Sequence, residues 1–148
     1  MATYVVDASI VVQYAIEQDH TAAARNLVVR MYQGNETLLI PEFCLLECTN
    51  VIWKEVRFQG LPPTHAEALV NELLTLAFRV LPIRYLLPEA LKIGLNCELA
   101  IYDSLYIALA LEHKCPLITV DNRQQNGAVA SGASLKAITD FLAESETL

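Results

Sequence analysis

The chain alternates between short apolar runs and longer stretches in which apolar positions recur at helical spacing. TYVVD (3–7) is rich in β-formers and ends in Asp7, and TLLIP (37–41) ends at Pro41. FRVLPI (78–83) and PLITVD (116–121) complete four strand candidates. Between them, SIVVQYAIEQ (9–18) and TAAARNLVVRMYQG (21–34) predict helices, the second stopped by Gly34-Asn35. A further helix is expected from Pro41 to about Gln59, with proline in the first turn, where it is tolerated. After the loop GLPPT, Thr64 and Glu67 form a capping box for the next helix. Pro88-Glu89 opens another that ends near Asn96. YDSLYIALALEHK (102–114) is the most apolar helix, with Lys114 in its last turn, where the helix dipole favours a cation. Past Asn122, Gly127 and Gly132 predict a loop, SLKAI (134–138) a short fifth strand, and TDFLAESE (139–146) a final helix.

Strands of four to six residues separated by helices predict an α/β fold with a parallel sheet covered on both faces. A single domain over residues 1–148 is expected, because no linker, repeat or low-complexity tract divides the chain. In such folds ligands sit beyond the carboxyl ends of the strands. Asp7 and Asp121 both stand just past a strand end, where a site belongs.

Composition sharpens this picture. With 54% hydrophobic and 18% charged residues, the chain has the makeup of a packed domain and not of a disordered one. Asp7, Glu17 and Asp103 interrupt the apolar runs before any reaches the roughly 18 residues of a membrane span. The start MATYVVDASIVV lacks a basic leader, so no membrane association and a cytoplasmic location are expected. Cys44, Cys48, Cys97 and Cys115 include no C-x-x-C pair, and His20, His65 and His113 are scattered, which disfavours zinc. A net charge of −7 disfavours nucleic-acid binding through a basic patch, unless bound cations change the balance.

Singly, each acid has an ordinary structural use. Asp7 fits an N-cap, Asp103 fits a cap for a helix beginning at Ser104, and Asp121 fits an Asx turn. Glu47 lies mid-helix with Val51 at i+4, so no cation pairs with it at helical spacing. It shares a polar stripe with Asn50, Lys54 and Arg57, which also suits a solvated helix face. Taken together, the acids suggest more. If the sheet and its helices bring Asp7, Glu47, Asp103 and Asp121 to one pocket, their mutual repulsion requires a positive occupant. Oxygen-only donors favour Mg²⁺ or Mn²⁺. Such an ion can activate water and clamp a phosphodiester. Ser9 and Thr119 are placed to support the carboxylates, and Asn50 to orient Glu47 or the scissile group.

The stretches VVDASI, PEFCLLECTNVIWK, YDSLYIALA and LITVDN resemble, in order and spacing, the four motifs of PIN-domain ribonucleases, especially the VapC-type toxins of toxin–antitoxin pairs. The resemblance runs from about Tyr4 to Asn122, and the ordered set is more specific than any one motif. It implies a three-layer α/β/α domain with a mainly parallel sheet and Mg²⁺- or Mn²⁺-dependent endoribonuclease activity. It also implies an antitoxin protein partner and a homodimer. By motif, Asp7, Glu47, Asp103 and Asp121 become metal-binding and catalytic, with Ser9, Asn50 and Thr119 in support. The segment after Asn122 matches only loosely.

On this reading RNA is the substrate, and Lys54, Arg57 and Arg123 hold its backbone. Two divalent ions would move the net charge from −7 to −3. Tyr102 and Tyr106 suit either base stacking or the core. ALVNELLTLAF and LLPEALKIGL carry apolar residues on more than one face, suited to a dimer contact, an antitoxin groove or a thick core. Two other functions stay open. One is a phosphatase or phosphoacceptor with Asp7 as nucleophile. Haloacid-dehalogenase-like enzymes want a second Asp at position 9, which is Ser, and receiver-like domains want paired acids where Val6 precedes Asp7. The other is a non-catalytic PIN-like module that only binds a protein.

Overall fold

The computed structural model describes residues 1–142. Its centre is a four-stranded parallel sheet in the order β3-β2-β1-β4. The strands are β1 (Ala2–Val6), β2 (Glu36–Pro41), β3 (Arg79–Leu81) and β4 (Leu117–Ile118). Parallel strands covered on both faces need side chains that are apolar in both directions. Val5, Val6, Leu38, Leu39, Ile40, Leu117 and Ile118 meet that need and are buried.

The chain moves outward from β1 to β2 to β3, then returns to place β4 on the other side of β1. The register Val5↔Leu117 and Val6↔Ile118 sets the ends of β1 and β4 side by side. The strand order therefore reverses between β1 and β4. In doubly wound sheets the region outside the carboxyl ends at such a reversal is the usual ligand position.

Seven α-helices surround the sheet among the described residues. They are α1 (Ala8–Ala15), α2 (Thr21–Tyr32), α3 (Cys44–Gln59), α4 (Pro63–Thr75), α5 (Leu87–Cys97), α6 (Ile101–Glu112) and α7 (Asn122–Ala130). The helix α6 is sealed from Ser104 to Ala110 and packs against β1, β2 and β4. This explains why its sequence is apolar on all faces. It approaches α5 closely through Gly94, where a Cβ would meet the Leu99 carbonyl oxygen at 2.8 Å. The second helix α2 packs on β2, and α1 bridges α2 and α3. No single helix among the described residues is long and apolar enough to cross a membrane. All four cysteines are free thiols.

Several local expectations are corrected. The loop expected after Asn122 is the helix α7, whose N-terminus Asp121 caps. Gly127 is not a breaker there: a Cβ at this position would meet Leu99 Cδ2 at 3.1 Å and Ile107 Cδ1 at 3.3 Å, so it allows close packing. The fifth strand reduces to one bridge, Leu117↔Leu135. Of the final helix, a 3₁₀ turn at Ile138–Phe141 is present, and residues 143–146 lie outside the described residues. The capping box does not form, because Pro62 is the N-cap of α4 and Pro63 takes its first position. The third helix α3 starts at Cys44, leaving Pro41 in β2. The helix carrying Asp103 starts at Ile101 with Ala100 as N-cap, so Asp103 is a first-turn residue and not the cap.

Candidate functional site

Asp7 follows β1 and is both helix cap and buried acid, at 5% exposure. Its Oδ1 accepts from Ser9 Oγ at 2.6 Å and from the Ile10 N–H at 3.3 Å. Its Oδ2 accepts from Thr119 Oγ1 at 2.7 Å. The strand register explains the last bond, since Val6↔Ile118 sets the next residue of each chain segment side by side. The two hydroxyls also receive bonds. Ser9 Oγ accepts from the Val120 N–H at 3.2 Å, and Thr119 Oγ1 from the Asp121 N–H at 3.1 Å. The exits of β1 and β4 are thus stitched together around one carboxylate.

Burial dominates the electrostatics of Asp7. It raises the carboxyl from 3.8 to about 6, against the lowering effect of the bonds from Ser9, Thr119 and Ile10, and with a further push from Asp103. The capping bond alone does not require such burial, so the environment of Asp7 goes beyond that of an ordinary helix cap.

The other acids arrive from α3, α6 and the β4 exit. Glu47, half-buried on α3, accepts from Tyr106 Oη at 2.7 Å through Oε1. Burial raises its pKa, the Tyr106 bond lowers it, and the charge of Asp103 raises it again. Asp103 is half-buried in the first turn of α6, and its carboxylate has no hydrogen-bond partner among the described residues. Burial raises its pKa, the charge of Asp121 adds to that, and Arg123 opposes it. Asp121 is exposed, with Oδ1 accepting from the N–H groups of Arg123 and Gln124. Asp103 is therefore the electrostatic hub, coupled to Asp7, Glu47 and Asp121.

Coupling is not yet coordination. Among the described residues, no three His, Cys, Asp or Glu side chains gather closely enough to hold a metal ion as they stand. Mutual repulsion opposes such convergence. The donor chemistry nonetheless fits one class of ion: the carboxylates are oxygen donors alone, and Asp7, Glu47 and Asp103 carry raised proton affinities. That set suits a hard divalent cation such as Mg²⁺ or Mn²⁺.

The supporting residues divide. Ser9 and Thr119 are in the network. Arg123 lies beside it, with Nη2 donating to the Glu98 carbonyl at 3.1 Å. Asn50 is exposed one turn beyond Glu47 and makes no side-chain hydrogen bond among the described residues. Lys54 and Arg57 are exposed further along α3, displaced from Glu47 by about 10 and 15 Å of helix rise. The structure does not bring these two to the acids.

From the sequence, Tyr106 suits only base stacking or the core, and Gln124 is given no role. Tyr106 is a core side chain whose hydroxyl reaches Glu47, and its i+3 spacing from Asp103 was the available signal. Gln124 is fully buried, and its Nε2 donates to the Asp103 carbonyl at 3.1 Å. It went unseen because α7 itself was not expected.

Comparison with known proteins agrees with this architecture. A Pyrobaculum aerophilum protein, PAE2754, superposes with a TM-score of 0.71 at 22% identity, covering 99% of this chain and 91% of that one. VapBC2 from Rickettsia felis, bound to a DNA fragment from their promoter, gives 0.64 at 15% identity over 91% of this chain and 98% of that one. The sarcin–ricin loop cleaving toxin VapC20 of Mycobacterium tuberculosis gives 0.61 at 15% identity over 83% and 93%. At these identities the likeness shows the fold. No curated protein sequence matches the chain. The family model of the PIN domain matches residues 4–129, spanning β1 through nearly all of α7 and every acid described above, and the chain belongs to the PIN-domain family.

Proposed function

We propose that the protein is a Mg²⁺- or Mn²⁺-dependent endoribonuclease and the toxin of a VapBC-type toxin–antitoxin pair. The observation that carries this reading is the coupling of three half-buried or buried acids, Asp7, Glu47 and Asp103, with Asp121 at the reversal of strand order. Burying like charges together is unfavourable unless a cation offsets them. Asp7, Glu47, Asp103 and Asp121 would hold the ion. A divalent cation bound there would acidify water and neutralise charge on a phosphodiester.

The chain's own residues supply the rest. Ser9 and Thr119 hold both oxygens of Asp7 in one orientation, which pre-organises it for an incoming ligand. Tyr106 fixes Glu47 through Oε1 and leaves Oε2 to accept a proton from attacking water. Burial makes Glu47 a stronger base than an exposed glutamate. Arg123 supplies positive charge at the rim for an RNA phosphate. Asp7 suits this role better than that of a covalent nucleophile, since both its oxygens already accept hydrogen bonds.

Two exposed apolar surfaces support the proposal of protein partners. A cleft of about 480 Å³ between α3 and α4 is lined by Ile52, Trp53, Val56 and Val70, and suits an apolar segment of an antitoxin. Leu87, Leu91 and Leu95 form an exposed stripe at helical spacing on α5, suited to a homodimer contact.

The test is cleavage of mixed RNA by purified protein with Mn²⁺. Cutting should stop with chelator and in both Asp7→Asn and Asp103→Asn. Cutting that persists in all three conditions rejects the assignment.

A further inference from the structure

The carboxylate site leaves a polar cleft beside it without a role. This cleft of about 420 Å³ lies among Gln13, Gln18, Asp19, His20 and Val120. It is continuous with the acidic network, because Val120 sits between Thr119 and Asp121 and donates its N–H to Ser9 Oγ. Gln13 follows Ser9 by one turn of α1, so both project from the same helix face, about 6 Å apart along the axis.

Gln13 is a polar side chain sunk to 7% exposure. Its Oε1 accepts from the His20 N–H at 3.0 Å, which fixes the amide's orientation. The turn beneath it is also tied down. Thr21 Oγ1 donates to the Gln13 carbonyl at 2.7 Å and accepts from the Gln18 N–H at 2.8 Å. With Oε1 committed, Nε2 has no partner among the described residues. The residue is buried but Nε2 itself is not a sealed, unsatisfied atom: it opens onto the cleft, where a ligand acceptor can take the place of water.

The lining selects the guest. No lysine or arginine lines the cleft, and Asp19 contributes a carboxylate, so a phosphate group is disfavoured. A nucleobase edge needs the opposite: donors and acceptors side by side. Unstacked RNA bases are read on such edges, with aromatic or histidine rings available for stacking. The volume falls within the usual range for small-ligand sites.

We propose, resting on the nuclease reading above, that this cleft seats a guanine of the RNA beside the scissile phosphate. Gln13 Nε2 donates to guanine O6, and the Asp19 carboxylate accepts from N1–H and the N2 amino group. Uracil has no amino group and presents a carbonyl towards Asp19, so it is rejected.

The test uses Gln13→Glu, which keeps an oxygen acceptor for the His20 N–H and removes the Nε2 donor. In chelator, where no metal-dependent cutting occurs, UGU and UUU trinucleotides are titrated by NMR into the full chain. UGU should bind the wild type about tenfold more tightly than UUU and shift the Gln13 side-chain amide signal. Gln13→Glu should lose most of that preference while its backbone spectrum away from the cleft stays native. With Mn²⁺, sequencing of cut ends should show guanine enriched at one position next to the break for the wild type, and the enrichment should fall in Gln13→Glu. Equal binding of UGU and UUU by the wild type overturns the guanine site, as does a preference that survives in Gln13→Glu. Selective UGU binding without any Mn²⁺-dependent cleavage upholds the site and rejects only the nuclease reading.

Discussion

Replacing Asp7 by asparagine should stabilise the protein in chelator while removing its proposed activity. The side chain is nearly sealed, and burial raises its carboxyl from 3.8 to about 6. At about 1.4 kcal/mol per pH unit, holding Asp7 ionised in the folded state costs about 3 kcal/mol. The sign follows from linkage. The folded state binds the proton more tightly than the unfolded one, so the stabilising contribution of proton binding is complete below 3.8. It is lost as pH rises through about 6, and the full penalty applies at pH 8. Asparagine carries no charge and keeps an oxygen for Ser9 and Ile10. Its amide nitrogen would face Thr119 Oγ1, which must turn from donor to acceptor. Allowing for that exchange, the gain at pH 8 should be about 1–3 kcal/mol, or about 3–10 °C in Tm for a domain of this size. Urea unfolding at pH 8 and pH 4 measures it. The advantage should be large at pH 8 and small at pH 4. A variant less stable than the wild type at pH 8, or an equal difference at both pH values, refutes the reasoning.

Three further outcomes can be checked. Tyr106→Phe removes the 2.7 Å donor to Glu47 while keeping the ring packed against Phe43; calorimetry should show Mn²⁺ affinity lowered about tenfold, and unchanged affinity would rule out a positioning role. Gly94→Ala places a Cβ at 2.8 Å from the Leu99 carbonyl oxygen and 3.0 Å from Ile101 Cδ1, so it should destabilise the α5–α6 contact by about 1–3 kcal/mol in urea unfolding. Arg30→Met leaves the buried carboxylate of Glu36 without its guanidinium partner. The loss should be about 2–3 kcal/mol by the same assay, short of the value for a fully sealed pair because Arg30 is half exposed.

Apolar periodicity along the chain was enough to set the layered class of the fold and to single out the acids proposed for the site. Short apolar runs have a period and length that only strands covered on both faces satisfy, and the helices between them impose parallel order. Asp7, Asp103 and Asp121 stood out because carboxylates are unfavourable beside such runs. Local signals failed where a distant contact decided the outcome. Gly127 reads as a breaker along the chain, yet it lets α7 lie against Leu99 and Ile107. Thr64 and Glu67 spell a capping box, but Pro63 takes the first helical position instead. Which polar groups meet was settled by long-range packing. The register Val6↔Ile118 brings Thr119 to Asp7 across 112 residues, and the crossing of α3 and α6 brings Tyr106 to Glu47 across 59. It also separated Lys54 and Arg57 from the acids with which they share a helix stripe or a motif. Periodicity reports which face of an element is buried. It carries no information about which other element covers that face, because that choice is set by packing the whole chain at once.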